Sequence, residues 1–235
     1  MILLNTPSRR AYGAGSVGAA LLLCHTLPAH AGRPMTVEDA AIVAPGQCQL
    51  ETYAQQAGAA REFWATPACN VGDTWELAAG GASAETAGHS TRYGRLQAKT
   101  VFKPLEAGSW GVGLVLGNQF RSGRGVDGDL SANVPLSFAL RDDRVLLHVN
   151  AGVVRTQATR STDASWGVGA EFILGQSNSL TAEVYGQQRA NARYQFGFAH
   201  ALIPDQVQID CTWGKRLARG ASEPMVTLGL VLLTR

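Results

Sequence analysis

Ser137, His148 and Asn150 are side chains of the types that cut esters: hydrolysis of that kind needs a serine beside a histidine that a third polar group orients. All three fall on the polar parity of alternating runs, turned away from any lipid substrate on the apolar face. Glu171 and Glu183 could act as acid and base, yet any enclosed polar surface supplies such pairs. The chain has no Gly-x-Ser-x-Gly elbow, phosphate loop, paired Cys-x-x-Cys or His-Glu-x-x-His. No histidine stands at ligand spacing from a cysteine, so neither a metal nor a cofactor is expected. These residues read as parts of a wall, not as a catalytic centre.

The chain around them is 46% hydrophobic and 16% charged, with 27 glycines and a formal net charge of +2. A disordered segment would carry fewer apolar residues and a larger excess of one charge. Residues 1–31 read as a secretory signal: Arg9 and Arg10 precede the small and apolar stretch Val17 to Leu23, and Ala29-His30-Ala31 supplies an A-x-A cleavage pattern before Gly32. Two rivals are a lipid anchor at Cys24, disfavoured by the bulky Leu23 before it, and a twin-arginine signal, which would deliver a folded protein. Without Arg9 and Arg10 the chain carries 18 basic and 18 acidic residues, a balance that argues against a nucleic-acid partner. No later run approaches the roughly 18 apolar residues of a spanning helix. Any membrane crossing must go through strands.

Export permits disulfides. Cys24 leaves with the signal, and Cys48, Cys69 and Cys211 remain. If residues 55–61 form a loop between antiparallel strands, the register that sets Ala54 opposite Phe63 also sets Cys48 opposite Cys69, within bridging reach. A Cys48–Cys69 disulfide is expected, with Cys211 a small apolar filler.

From residue 47 onward, apolar side chains alternate with small or polar ones. Leu130, Ala132, Val134, Leu136 and Phe138 interleave with Ser131, Asn133, Pro135 and Ser137, and the pattern recurs to the end of the chain. It predicts about twelve strands: 47–54, 62–70, 74–82, 93–103, 109–119, 129–139, 144–154, 164–174, 180–187, 193–202, 206–214 and 225–234. Connections alternate between short ones (70–73, 104–108, 140–143, 175–179, 203–205) and mostly longer ones (55–61, 83–92, 120–128, 155–163, 188–192, 215–224). That alternation describes an all-β, antiparallel, up-and-down transmembrane barrel over residues 47–235. Trp75, Phe102, Trp110, Phe138 and Phe172 gather near the short-turn ends, and Phe63, Trp166, Tyr194 and Trp213 near the others, as interfacial girdles require. The pentapeptide Ser-Trp-Gly-Val-Gly, at 109–113 and 165–169, reads as a recurring strand start. Residues 32–46 lack the alternation. They sit either on the periplasmic side or in the barrel mouth, with Thr36 and Asp39 placed to cap one helical turn.

If apolar positions face lipid, the opposite parity lists the lumen: Glu51, Glu76, Lys99, Asn133, His148, Asn150, Glu171, Glu183, Arg193 and Asp210, with Gln195 and Gln208. A twelve-strand barrel is on the order of 24 Å wide between backbones, so inward side chains leave a narrow or occluded path. Charges of both signs inside either line that path or close it. The longer connections are rich in arginine, including Arg121, Arg124, Arg160, Arg216 and Arg219, and arginine forks suit the phosphates of lipopolysaccharide.

The stretches Arg33-Pro34-Met35-Thr36, Glu38-Asp39-Ala40, Pro45-Gly46-Gln47-Cys48-Gln49-Leu50-Glu51, Phe63-Trp64 and Pro67-Ala68-Cys69-Asn70 resemble a group of small proteobacterial outer-membrane proteins regarded as transporters. That group is loosely related to the outer-membrane family of the phenol meta-cleavage pathway. Leu140-Arg141-Asp142-Asp143-Arg144 and Ile203-Pro204-Asp205-Gln206-Val207-Gln208 are similar to it as well. The resemblance implies a barrel in a Gram-negative outer membrane, placed there by the barrel insertion machinery, and supplies no substrate. The chain departs from such barrels in ending Leu232-Leu233-Thr234-Arg235, without a terminal aromatic residue. The expected function is a narrow channel for a small solute. Its rivals are a closed structural or surface-binding barrel, a soluble lipocalin-like barrel with its apolar parity inward, and a barrel lipid hydrolase.

Overall fold

The alternating runs become twelve strands because each has one face for an apolar and one for a polar surrounding. The structure, a computed structural model, describes residues 33–123, 125–141, 143–218 and 222–234. The expected signal over 1–31, Cys24, Arg124 and Arg219 lie outside the described residues. The first six strands are β1 (Cys48–Ala57), β2 (Ala60–Val71), β3 (Trp75–Thr86), β4 (His89–Lys103), β5 (Trp110–Arg121) and β6 (Asp129–Leu140). The other six are β7 (Val145–Thr156), β8 (Ser161–Ile173), β9 (Asn178–Gln187), β10 (Arg193–Ile203), β11 (Val207–Arg216) and β12 (Pro224–Leu233). Each pairs antiparallel with its sequence neighbours, and β1 pairs with β12, Gln49 opposite Leu233 and Ala57 opposite Met225. Closure leaves no free sheet edge.

Burial decides which way the faces point. Leu228, Phe196 and Leu130 are 63%, 55% and 52% exposed on the outside, whereas Glu183, Lys99 and His148 are 5%, 4% and 1% exposed within. A water-soluble barrel would reverse these values, and one that crosses a bilayer requires them. The soluble lipocalin-like alternative is therefore corrected: the apolar parity faces out. Trp75, Phe102, Trp110 and Phe172 are exposed near the short-turn end, and Phe63, Trp166 and Trp213 near the other. The ammonium groups of Lys103 and Lys215 lie 4.7 Å and 5.8 Å from the ring centroids of Trp110 and Trp213, as amphipathic pairs do at an interface. Cys211 lies on this outer face, between Phe198 and Leu228 on the adjacent strands.

The turns differ from expectation in three places, the first being 155–163, which narrows to 157–160 because β7 and β8 stay paired as far as Thr156 and Ser161. Residues 55–61 and 83–92 are continuations of paired strands joined at Gly58-Ala59 and Ala87-Gly88. Ala87 and Gly88 both have positive φ (50° and 79°), as a two-residue hairpin turn needs. Beyond the apolar layer both strand faces are wet, so alternation fades in sequence while backbone pairing continues. The register survived this error because it depends on the hairpin midpoint: Ala54 is opposite Phe63, and Cys48, opposite Cys69, is bonded to it in a disulfide. No helical turn forms at Thr36, because the main-chain N–H groups there are held by the barrel wall.

Candidate functional site

Inward side chains of nine strands converge on residues 33–46, which run through the short-turn half of the lumen. Arg33 makes a two-pronged ion pair with Asp210, at 2.7 and 3.2 Å, and its guanidinium lies 4.3 Å from the Tyr53 ring centroid. Gln208 and Gln195 donate to the carbonyls of Arg33 and Pro34, both at 3.2 Å. The Glu183 carboxylate accepts from the N–H groups of Thr36 at 2.9 and 3.0 Å and of Val37 at 2.7 Å. Asn150 accepts from the Glu38 N–H at 2.9 Å and donates to its carbonyl at 2.8 Å, as a neighbouring strand would. Lys99 binds Asp39 at 2.6 Å and Glu38 at 3.1 Å. Further along, Ser137 accepts from the Ala40 N–H at 2.9 Å, Glu76 from the Val43 N–H at 2.8 Å, and Asn70 donates to the Val43 carbonyl at 2.6 Å. The segment buries Pro34, Val37, Ala40 and Val43, and its backbone is satisfied by the wall.

Glycines complete this seat. A Cβ on Gly167 would fall 2.7 Å from Val37, one on Gly197 3.2 Å from Pro34, and one on Gly229 2.6 Å from the Arg33 guanidinium. Their inward parity leaves room for a chain inside the barrel. Gly167 belongs to the second Ser-Trp-Gly-Val-Gly, so that pentapeptide, read above only as a strand start, also shapes the seat.

On the other side of the segment, toward the longer connections, lies a cavity of about 690 Å³. Its lining includes Arg33, Arg95, Lys99 and Arg193 against Glu38, Glu51, Glu76 and Asp129, with ten asparagine and glutamine side chains. Arg95 stacks over Trp64 at 4.7 Å and donates to Gln119 at 3.2 Å. Tyr53, Trp64 and Tyr93 stack side by side, with centroids 6.2 and 6.5 Å apart. Sequence reading assigned other rings to the outer girdles and left these three without a place, although Tyr53 shares the parity of Glu51, and Arg95 and Tyr93 that of Lys99.

The structure separates the residues singled out from sequence into three groups. Glu76, Lys99, Asn150, Glu183 and Asp210 hold the segment, and the first three also border the cavity. Glu51, Asn133 and Arg193 line the cavity, Asn133 also donating to Asn150 at 2.8 Å. His148 and Glu171 are buried in the wall. His148 Nδ1 is 2.8 Å from Ser137 Oγ, but Asn150 is committed to Glu38, and Ser137 and His148 are 0% and 1% exposed. The hydrolase arrangement is therefore not assembled, and no substrate reaches the pair. Of the loop arginines, Arg121, Arg160 and Arg216 are exposed.

A family described as "Uncharacterised conserved protein UCP029691" matches residues 19–233. No curated protein matches the chain. Among solved structures, the KdgM porin is similar at 5% identity with a TM-score of 0.63, covering 78% of this chain and 98% of its own. A second KdgM porin structure holds disordered oligogalacturonate. The NanC porin is similar at 11% identity and TM-score 0.60, covering 79% and 98%. The COG4313 outer membrane channel from Pseudomonas putida F1 is similar at 8% identity and TM-score 0.59, covering 83% and 97%. At such identities the shared property is the fold, a closed porin-like barrel.

Proposed function

The chain belongs to the family matched over residues 19–233, and we propose that it is an outer-membrane channel for small hydrophilic solutes that carry hydrogen-bonding groups and little net charge. The observation that carries this reading is the 690 Å³ cavity inside an apolar-faced barrel, lined by ten amide side chains and by four cationic against four anionic ones. Balanced charge gives weak selection by ion sign, while amides and the ring of Tyr53 suit hydroxyl-rich molecules. The KdgM porin in complex with disordered oligogalacturonate is a precedent for a saccharide bound by a barrel of the same fold. Residues 1–31 would direct export and be removed after it, and the exposed Arg121, Arg160 and Arg216 would meet lipopolysaccharide phosphates, with Arg124 and Arg219 beside them in sequence. The resemblance to small proteobacterial outer-membrane proteins, loosely related to the phenol meta-cleavage family, supports the same address and rests on the N-terminal stretches together with 140–144 and 203–208.

A closed barrel without transport is the second reading, favoured by the segment in the short-turn half of the lumen. Swelling of vesicles loaded with sugars of graded size decides between them. Swelling that falls off with solute size supports the channel, and no swelling for any solute supports the closed barrel.

A further inference from the structure

We propose that residues 33–42 are a removable gate, an arm that leaves its seat and swings about a fixed root at 43–48. The inference adds a moving part to the channel reading, and its first readout is independent of that reading.

The root is clamped. Val43 is held through its N–H by Glu76 and through its carbonyl by Asn70, whose own N–H donates to the Gln47 carbonyl at 3.0 Å. Cys48, the next residue, is bonded covalently to Cys69. Between root and arm the grip lapses: among the described residues the Ala41 N–H bonds to Asp39 alone, within the arm itself, and Ile42 is half-buried.

The arm is bound differently from a packed core. Its fully buried apolar side chains are Pro34, Val37 and Ala40, with Met35, Ala41 and Ile42 half-buried, and every hydrogen bond and ion pair that the wall makes to it is polar. The Glu183 carboxylate, the Asn150 amide and the Asp210 carboxylate read main chain and one guanidinium, the Lys99 ammonium pairs with Glu38 and Asp39, and each is a group that water solvates readily. Glycines at 167, 197 and 229 make the seat a hollow, not an apolar socket. Withdrawal therefore exchanges hydrogen bonds with protein for hydrogen bonds with water and exposes little apolar surface, the condition for a reversible two-state element. The direction of exit follows from the lining: Arg33 to Glu38 border the 690 Å³ cavity, so the arm has space on that side.

The test uses the purified barrel in lipid vesicles, with Cys24→Ser and Cys211→Ser to leave only the native disulfide. Val37 is 2% exposed in its seat, so Val37→Cys should react slowly with a membrane-impermeant maleimide. Adding Glu183→Gln and Asp210→Asn should speed labelling at least about tenfold, by weakening the buried contacts that favour the seated state. Heat-modifiable migration verifies folding. If that variant does not fold, Gly229→Ala, whose Cβ would crowd the Arg33 guanidinium at 2.6 Å, replaces it with the same expectation. Unchanged labelling in a folded loosened variant overturns the gate. A second arm of the experiment locks the seat: Val37→Cys with Gly167→Cys sets the two Cβ atoms about 3.7 Å apart, within disulfide range. Oxidation should silence solute flux and reduction restore it, relative to the same treatments of the Cys24→Ser/Cys211→Ser parent. Flux that persists in the oxidised pair overturns the gate. Faster labelling with no flux in any variant upholds the moving arm and removes the channel reading instead.

Discussion

The two halves of the lumen are built by the same strands on the same inward parity, yet they do opposite things. In the short-turn half, Glu76, Lys99, Asn150, Glu183 and Asp210 each contact residues of the 33–46 segment, and buried small apolar side chains such as Ala139 and Val231 lie on the same inward face. In the other half, Gln55, Gln97, Gln119 and Arg95 surround open space. Inward polarity alone therefore does not make a path. What matters is whether an inward group is taken up by the 33–46 segment or borders open space.

This contrast sets the order of expected effects. Lys99→Ala leaves Glu38 and Asp39 without their buried cation and should cost about 3–5 kcal/mol of unfolding free energy, read by urea titration in vesicles. Replacing Cys48 and Cys69 by serine frees the root of the segment and should cost about 2–4 kcal/mol in the same titration. Gly167→Val overfills the seat against Val37 and should cost about 1–3 kcal/mol. Gln97→Ala, in the open half, should stay within about 0.5 kcal/mol while altering the rate of solute entry. An equal stability loss for Lys99→Ala and Gln97→Ala would break the distinction between the halves. Arg216→Glu, outside both, should leave stability unchanged and weaken co-purification of lipopolysaccharide.

The sequence allowed the wall to be read but not its contents. Alternation through Leu130–Phe138 and its repeats was enough for twelve strands and their faces, and the Cys48–Cys69 register followed from one hairpin midpoint. The ends of β1 to β4 were not legible, because Gln55, Gln56, Glu85 and Ser90 lie where both faces are wet and no period survives. The path of residues 33–46 was not legible either: its partners, from Asn70 to Asp210, are distant in sequence and impose no local pattern. The inward ladder of Tyr53, Trp64 and Tyr93 was hidden by a rule that holds for the outer girdles and fails inside.

The orientation of the faces underlies all of this, and tryptophan reports it. Trp64 is 4% exposed on the lumen side, whereas Trp110 and Trp213 are 45% and 42% exposed outside. In single-tryptophan variants reconstituted with lipids brominated along the acyl chain, Trp110 and Trp213 should be strongly quenched and Trp64 hardly at all. Strong quenching of Trp64 with sparing of Trp110 and Trp213 would contradict the account.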